Sequence, residues 1–118
     1  MNSALLNELK AIGCPVDNTL ENTFMGNEAF FEKMLKKFGT NHALETLEAG
    51  IVSGSVSNCF DAAHELKGMY GNLGLGPLFT LCSDIVETTR RGSLDGVAAR
   101  FEELKKEHLR VLDVIARY

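Results

Sequence analysis

Apolar residues recur along this chain at three- and four-residue intervals, with no alternating stretch, so the hydrophobic pattern predicts helices almost throughout. Leu5, Leu6, Leu9 and Ile12 share one side of a short first helix, with Ser3 as its cap and Gly13 and Pro15 as its stop. Asn18 and Glu21 have capping-box spacing and open a second short helix toward Phe24. Asn27 caps a third, with Phe30, Phe31, Met34, Leu35 and Phe38 inside and Gly39 at its end. Asn41 opens the next, in which Ala43, Leu44, Leu47 and Ile51 repeat at helical spacing as far as Gly54. Ser55 or Ser57 begins a fifth helix, and Gly74 stands where a left-handed C-terminal cap belongs. Pro77 lies in the first turn of a sixth, with Leu78, Leu81, Cys82, Ile85 and Val86 inside and Arg90, Arg91 and Gly92 closing it. Ser93 caps the longest helix, whose stripe of Val97, Phe101, Leu104, His108, Leu112 and Ile115 runs to about Tyr118.

Short connections between amphipathic helices force antiparallel neighbours. The expected fold class is all-α: an up-and-down antiparallel four-helix bundle with short N-terminal accessory helices. The 118 residues fit one domain, with residues 1–26 as a helical extension and 27–118 as the bundle. Apolar residues at 45% and charged residues at 24% are ordinary for a globular chain and leave no segment that reads as disordered.

A net charge of −4 argues against a nucleic-acid or anionic-membrane partner, since either favours a basic stripe. No apolar run approaches the length of a membrane span, and "MNSALLNELKAIG" carries Glu8 and Lys10 within its apolar pattern, unlike a secretory leader. A cytoplasmic location is expected. The start at Met1 without flanking linkers points to a free-standing protein. Cys14, Cys59 and Cys82 are odd in number and lack C-x-x-C spacing, so neither a disulfide framework nor a zinc site is indicated. Cys59 and Cys82 fall on apolar stripes and read as small buried hydrophobes.

The stretch "CFDAAHELKGMYGNLGLGP", residues 59–77, interrupts this pattern by placing Gly68 and Gly71 mid-helix. Each costs about 1 kcal/mol relative to alanine. Wound at about 100° per residue, Cys59, Ala62, Leu66, Met69, Tyr70 and Leu73 cluster on one side as a core stripe. His64, Lys67, Gly68 and Gly71 stand on the other, at i, i+3, i+4 and i+7. Bare backbone beside an imidazole lets another protein come close to the ring, and the lysine can neutralise an anion placed on it. These features suit a covalent phosphoryl carrier in which neutral imidazole is the nucleophile.

"AHELKGMYGNLGLGPL" resembles the central helix of the histidine-containing phosphotransfer (HPt) domains of bacterial multistep phosphorelays, whose pattern is broadly A-H-x-L-K-G-x-x-x-N-L-G. Ala63, His64, Leu66, Lys67, Gly68, Asn72, Leu73 and Gly74 match it position by position. More weakly, "FMGNEAFFEKMLKKF" is similar to the helix preceding the bundle and "LFTLCSDIVETTRRGSLDGVAARFEELKKE" to the last two helices. The resemblance implies a four-helix bundle displaying His64, which accepts phosphate from, and returns it to, aspartates on response-regulator receiver domains fed by a hybrid sensor histidine kinase. It implies that His64 carries the phosphoryl group, that Lys67 stabilises it, that Gly68 leaves room for the receiver, and that Asn72 shapes the helix end. Phe60, Asp61, Glu65, Gly71 and Asn72 border that face and are the candidate partner contacts. The receiver would supply the aspartate and Mg²⁺. With no carboxylate cluster in this sequence to hold a metal, no cofactor is expected. A monomeric carrier is expected rather than a self-sufficient enzyme.

"HEL" also occurs in the dimerisation helix of sensor kinases, as H-E-L-R/K-T-P-L. Here Gly68-Met69 replaces Thr-Pro and no ATP-binding domain follows. Asp61-x-x-His64 imitates the Glu-x-x-His spacing of di-iron bundles, but both residues face outward. The positions three before His42 and His108 hold Gly39 and Lys105. His108, between Leu104 and Leu112 on an apolar stripe, reads as a partly buried, hydrogen-bonded structural histidine, and His42 as a surface residue. An adaptor that binds receivers without relaying phosphate is the alternative of another class; the pairing of His64 with Lys67 argues against it.

Overall fold

The computed structural model describes residues 3–118, and its regular elements are seven helices. They are α1 (Ser3–Ala11), α2 (Val16–Asn22), α3 (Glu28–Phe38), α4 (Ala43–Ser53), α5 (Val56–Asn72), α6 (Gly76–Arg90) and α7 (Val97–Ala116). The side-chain cap expected at Ser3 lies outside the described residues.

Three helix starts use a side-chain oxygen on an orphan amide. Asn27 Oδ1 accepts from the Phe30 N–H at 3.0 Å and opens α3. Asn41 Oδ1 accepts from the Ala43 N–H at 2.8 Å at the start of α4. Ser55, rather than Ser57, caps α5, its Oγ accepting from the Asn58 N–H at 3.2 Å. Two expected caps are corrected. Asn18 lies inside α2, which starts after Pro15, and its side chain bonds the Asn22 amide instead. Ser93 Oγ accepts from the Asp95 N–H at 3.0 Å in the turn before α7, and Gly96, at φ +73°, is the residue that leads into the helix.

The core lies between α4, α5, α6 and α7. Successive members pack side by side and α4 also meets α7, so α5 is enclosed by two neighbours along its length. Leu47, Leu66, Tyr70, Leu78, Ile85 and Leu104 are fully buried there. Gly50 and Cys59 mark a close approach of α4 to α5: a Cβ at Gly50 would sit 2.9 Å from Cys59 Sγ. Met69, Ile51, Leu81 and Leu112, expected in the core, are only partly buried at its edge. Ala63, Val111 and Val114 are buried in addition.

The N-terminal helices join this same core rather than standing apart from it. Leu5, Leu9, Val16, Leu20 and Phe24 belong to the cluster, and α1 lies on α7. Glu8 accepts from Arg117 Nη2 at 3.0 Å and from the Tyr118 hydroxyl at 2.9 Å. Helix α2 is fitted over the end of α5. Gly74 ends that helix at φ +68°, and a Cβ there would come within 2.8 Å of Thr19 Cβ. A residue with a side chain would face both left-handed strain and a collision.

Candidate functional site

Helix α5 carries the candidate site, and its buried stripe fixes which way that site faces. Cys59, Ala62, Ala63, Leu66, Tyr70 and Leu73 are buried, while Asp61, His64, Glu65, Gly68, Gly71 and Asn72 are exposed. The Cys82 thiol of α6 donates to the Ala63 carbonyl at 3.2 Å, tying the neighbouring helix to the turn that presents His64. Burial pushes that thiol up to about 12, so it stays a neutral donor and is no nucleophile near neutral pH.

His64 stands mid-helix, and no described side chain hydrogen-bonds its imidazole. Its contact is the Phe60 ring one turn earlier, 5.6 Å between centroids. Phe60 is half-buried rather than fully exposed, and the Arg90 guanidinium of α6 lies 5.7 Å from the centre of its ring. Arg90 is itself held by Glu87 at 2.9 Å. At Gly68 an added Cβ would meet nothing within 4 Å, so the backbone next to the imidazole is bare.

Gly71 requires a correction. A Cβ there would lie 3.3 Å from the Phe79 ring of α6, so this position is not open backbone. The same ring takes the Lys67 ammonium 5.4 Å from its centroid. Lys67 thus rests against α6, on the side of α5 that also displays His64.

Glu65 accepts from Asn41 Nδ2 at 3.4 Å, which links α5 to the α3–α4 connection. Beside it a groove of 820 Å³ runs between α3 and α5, with Phe30, Met34 and Lys37 on one wall and His64, Gly68 and Asn72 on the other. Asn72 makes no cap bond at the end of α5; it faces this groove. Asp61 opens instead on a smaller hollow of 370 Å³ with His42, Thr46 and Glu65. The structure therefore brings His64, Glu65, Gly68 and Asn72 to one groove and leaves Phe60, Asp61, Lys67 and Gly71 outside its lining.

His42 is exposed at the start of α4, and His108 is buried. Among the described residues no three His, Cys, Asp or Glu side chains gather as metal ligands would. Residues that the sequence reading did not assign to the site are Phe79, Arg90, Asn41 and the α3 wall of the groove. Their spacing along the chain carries no sign of the site, because they reach it from α3, α6 and the α3–α4 connection rather than from α5.

The Hpt domain family model matches residues 31–114, which take in α4, α5 and α6 entirely and most of α3 and α7. Among solved structures, the crystal structure of histidine-containing phosphotransfer protein B (HptB) from Pseudomonas aeruginosa PAO1 is similar, with a TM-score of 0.75 and 25% identity. The alignment covers 87% of this chain and 93% of that one. No curated protein gives a significant match. No helix among the described residues is long and apolar enough to cross a membrane. With the family model spanning most of the chain and a phosphotransfer protein sharing its helical fold, this chain belongs to the Hpt domain family of two-component phosphotransfer signalling.

Proposed function

We propose that His64 is the phosphoryl carrier of this domain, taking the group from a receiver-domain phosphoaspartate and passing it to a second receiver. The observation that carries this reading is the bare helix surface at Gly68 beside an exposed imidazole that no described side chain hydrogen-bonds. In the forward step the unprotonated ring nitrogen attacks phosphorus in line. The P–N bond forms as the P–O bond breaks, and the aspartate leaves with the bonding pair as a carboxylate. In the return step an aspartate oxygen of the next receiver attacks phosphorus, and imidazole leaves with the P–N pair.

Such transfer depends on positioning and charge more than on further covalent chemistry. In this reading Lys67 offsets the charge of the bound phosphoryl group and Gly68 admits the receiver's active-site loops. Mg²⁺ belongs to the receiver. Phe60, Glu65 and Asn72, and on its flank Asp61, border the docking surface. The reading also takes α4–α7 as an up-and-down antiparallel four-helix bundle, residues 1–118 as one domain, and the acting species as a cytoplasmic monomer.

The test is phosphotransfer profiling of wild type and His64→Gln against a panel of phosphorylated receiver domains. Receivers that lose phosphate to the wild type and not to His64→Gln support the relay. Receivers that bind both proteins equally and keep their phosphate would support an adaptor instead.

A further inference from the structure

Among the described residues the Lys67 ammonium rests on an aromatic ring and not on a carboxylate. Its Nζ lies over the Phe79 ring, 5.4 Å from the centroid, and it makes no ion pair among the described residues. This distance is within the range over which an aromatic face attracts a cation. Phe79 remains 38% exposed, which leaves the ring at the surface where a lysine head can reach it. The ring occupies the space that a side chain at Gly71 would need.

Resting on the reading that Lys67 offsets the phosphoryl charge on His64, we infer that Phe79 is a positioning residue for Lys67, and that Gly71 lacks a side chain to admit the Phe79 ring. A lysine on an open helix face spreads its charge over many rotamers. A carboxylate partner would order it, but would cancel its charge and repel an arriving phosphoryl group. An aromatic face orders the ammonium without neutralising it. The charge is then held against α6, one helical turn along α5 from His64, before the phosphate arrives, and less ordering remains to be done when it does.

The experiment uses the full chain as wild type, Phe79→Leu, Phe79→Tyr, Lys67→Ala and the Lys67→Ala/Phe79→Leu double variant. Each is phosphorylated with phosphoramidate, whose P–N bond breaks with loss of ammonia as the His64 P–N bond forms. After removal of donor, loss of the label is followed. In that step water attacks phosphorus, imidazole leaves with the P–N pair, the imidazole nitrogen is freed and orthophosphate is released. Phe79→Leu keeps apolar bulk and loses the π face, and is expected to shorten the phosphohistidine half-life about two- to fivefold. Phe79→Tyr retains the wild-type half-life. Lys67→Ala shortens it at least as much, and adding Phe79→Leu to Lys67→Ala changes nothing further.

A wild-type half-life in Phe79→Leu overturns the inference, even where transfer to a receiver slows, since Phe79 would then be a partner contact. An equal shortening on the Lys67→Ala background overturns it too, because the effect would not pass through the lysine. If the wild type takes no phosphate on His64, or if Lys67→Ala leaves the half-life unchanged, the underlying reading fails instead and the inference falls with it.

Discussion

Tyr70 of α5 and His108 of α7 share a 2.7 Å hydrogen bond inside the core, with the Phe38 ring 4.5 Å from the imidazole. The two helices are thereby joined at a fixed point two turns along from His64. Burial holds His108 down to about 4 from an ordinary 6.5, with the Glu45 carboxylate pulling weakly the other way. Between those values the unfolded chain binds a proton that the native imidazole refuses. Native stability therefore falls as pH drops below 6.5 and this contribution levels off below about 4. The expected slope in that window reaches about 1.4 kcal/mol per pH unit. Urea unfolding of wild type and His108→Gln between pH 7 and 4 checks it: the variant loses this component of the slope. Parallel pH profiles would contradict the assignment.

Gly74→Ala is expected to destabilise the protein by about 2–4 kcal/mol, from the left-handed backbone and the collision with Thr19. Denaturant midpoints measure the loss, and replacing Thr19 with glycine in the same chain should recover the steric part. A loss under about 0.5 kcal/mol would mean that α2 is free to move off the end of α5.

Gly68→Ala should behave in the opposite way. With no atom within 4 Å of its Cβ, alanine fits and raises helix propensity, so stability is unchanged or up to about 1 kcal/mol higher. If Gly68 leaves clearance for a receiver, phosphate transfer should slow, because the methyl group would stand in that clearance. Lowered stability with unchanged transfer would contradict the clearance reading.

The contrast among these positions shows where sequence reading reached its end. The helices were legible because each turns an apolar stripe to a neighbour, as Leu5 and Leu9 do in α1 and Leu66 and Tyr70 in α5. The cap at Asn27 was legible, and that of α5 was narrowed to Ser55 or Ser57, because a side chain and its amide partner lie within one turn. Ser93 misled because its oxygen serves the Asp95 amide in a preceding turn, a local competitor of helix capping. Within the candidate site, His64 and Gly68 share a face by helical winding alone. Gly71 shares that face too, yet only the packing of α6 shows that the Phe79 ring takes the space beside it that a side chain would need. The buried state of His108 followed from its apolar stripe, whereas its tie to Tyr70 required the two helices to be brought together.

The central claim is that His64 carries the phosphoryl group, and site mapping after transfer tests it most directly. The protein is incubated with a phosphorylated receiver domain, and the label is tested for acid and alkali stability and located by peptide mapping. The account predicts an acid-labile, alkali-stable phosphate on His64 and none on His64→Gln. Label on His42 or His108, or label retained by His64→Gln, would contradict it.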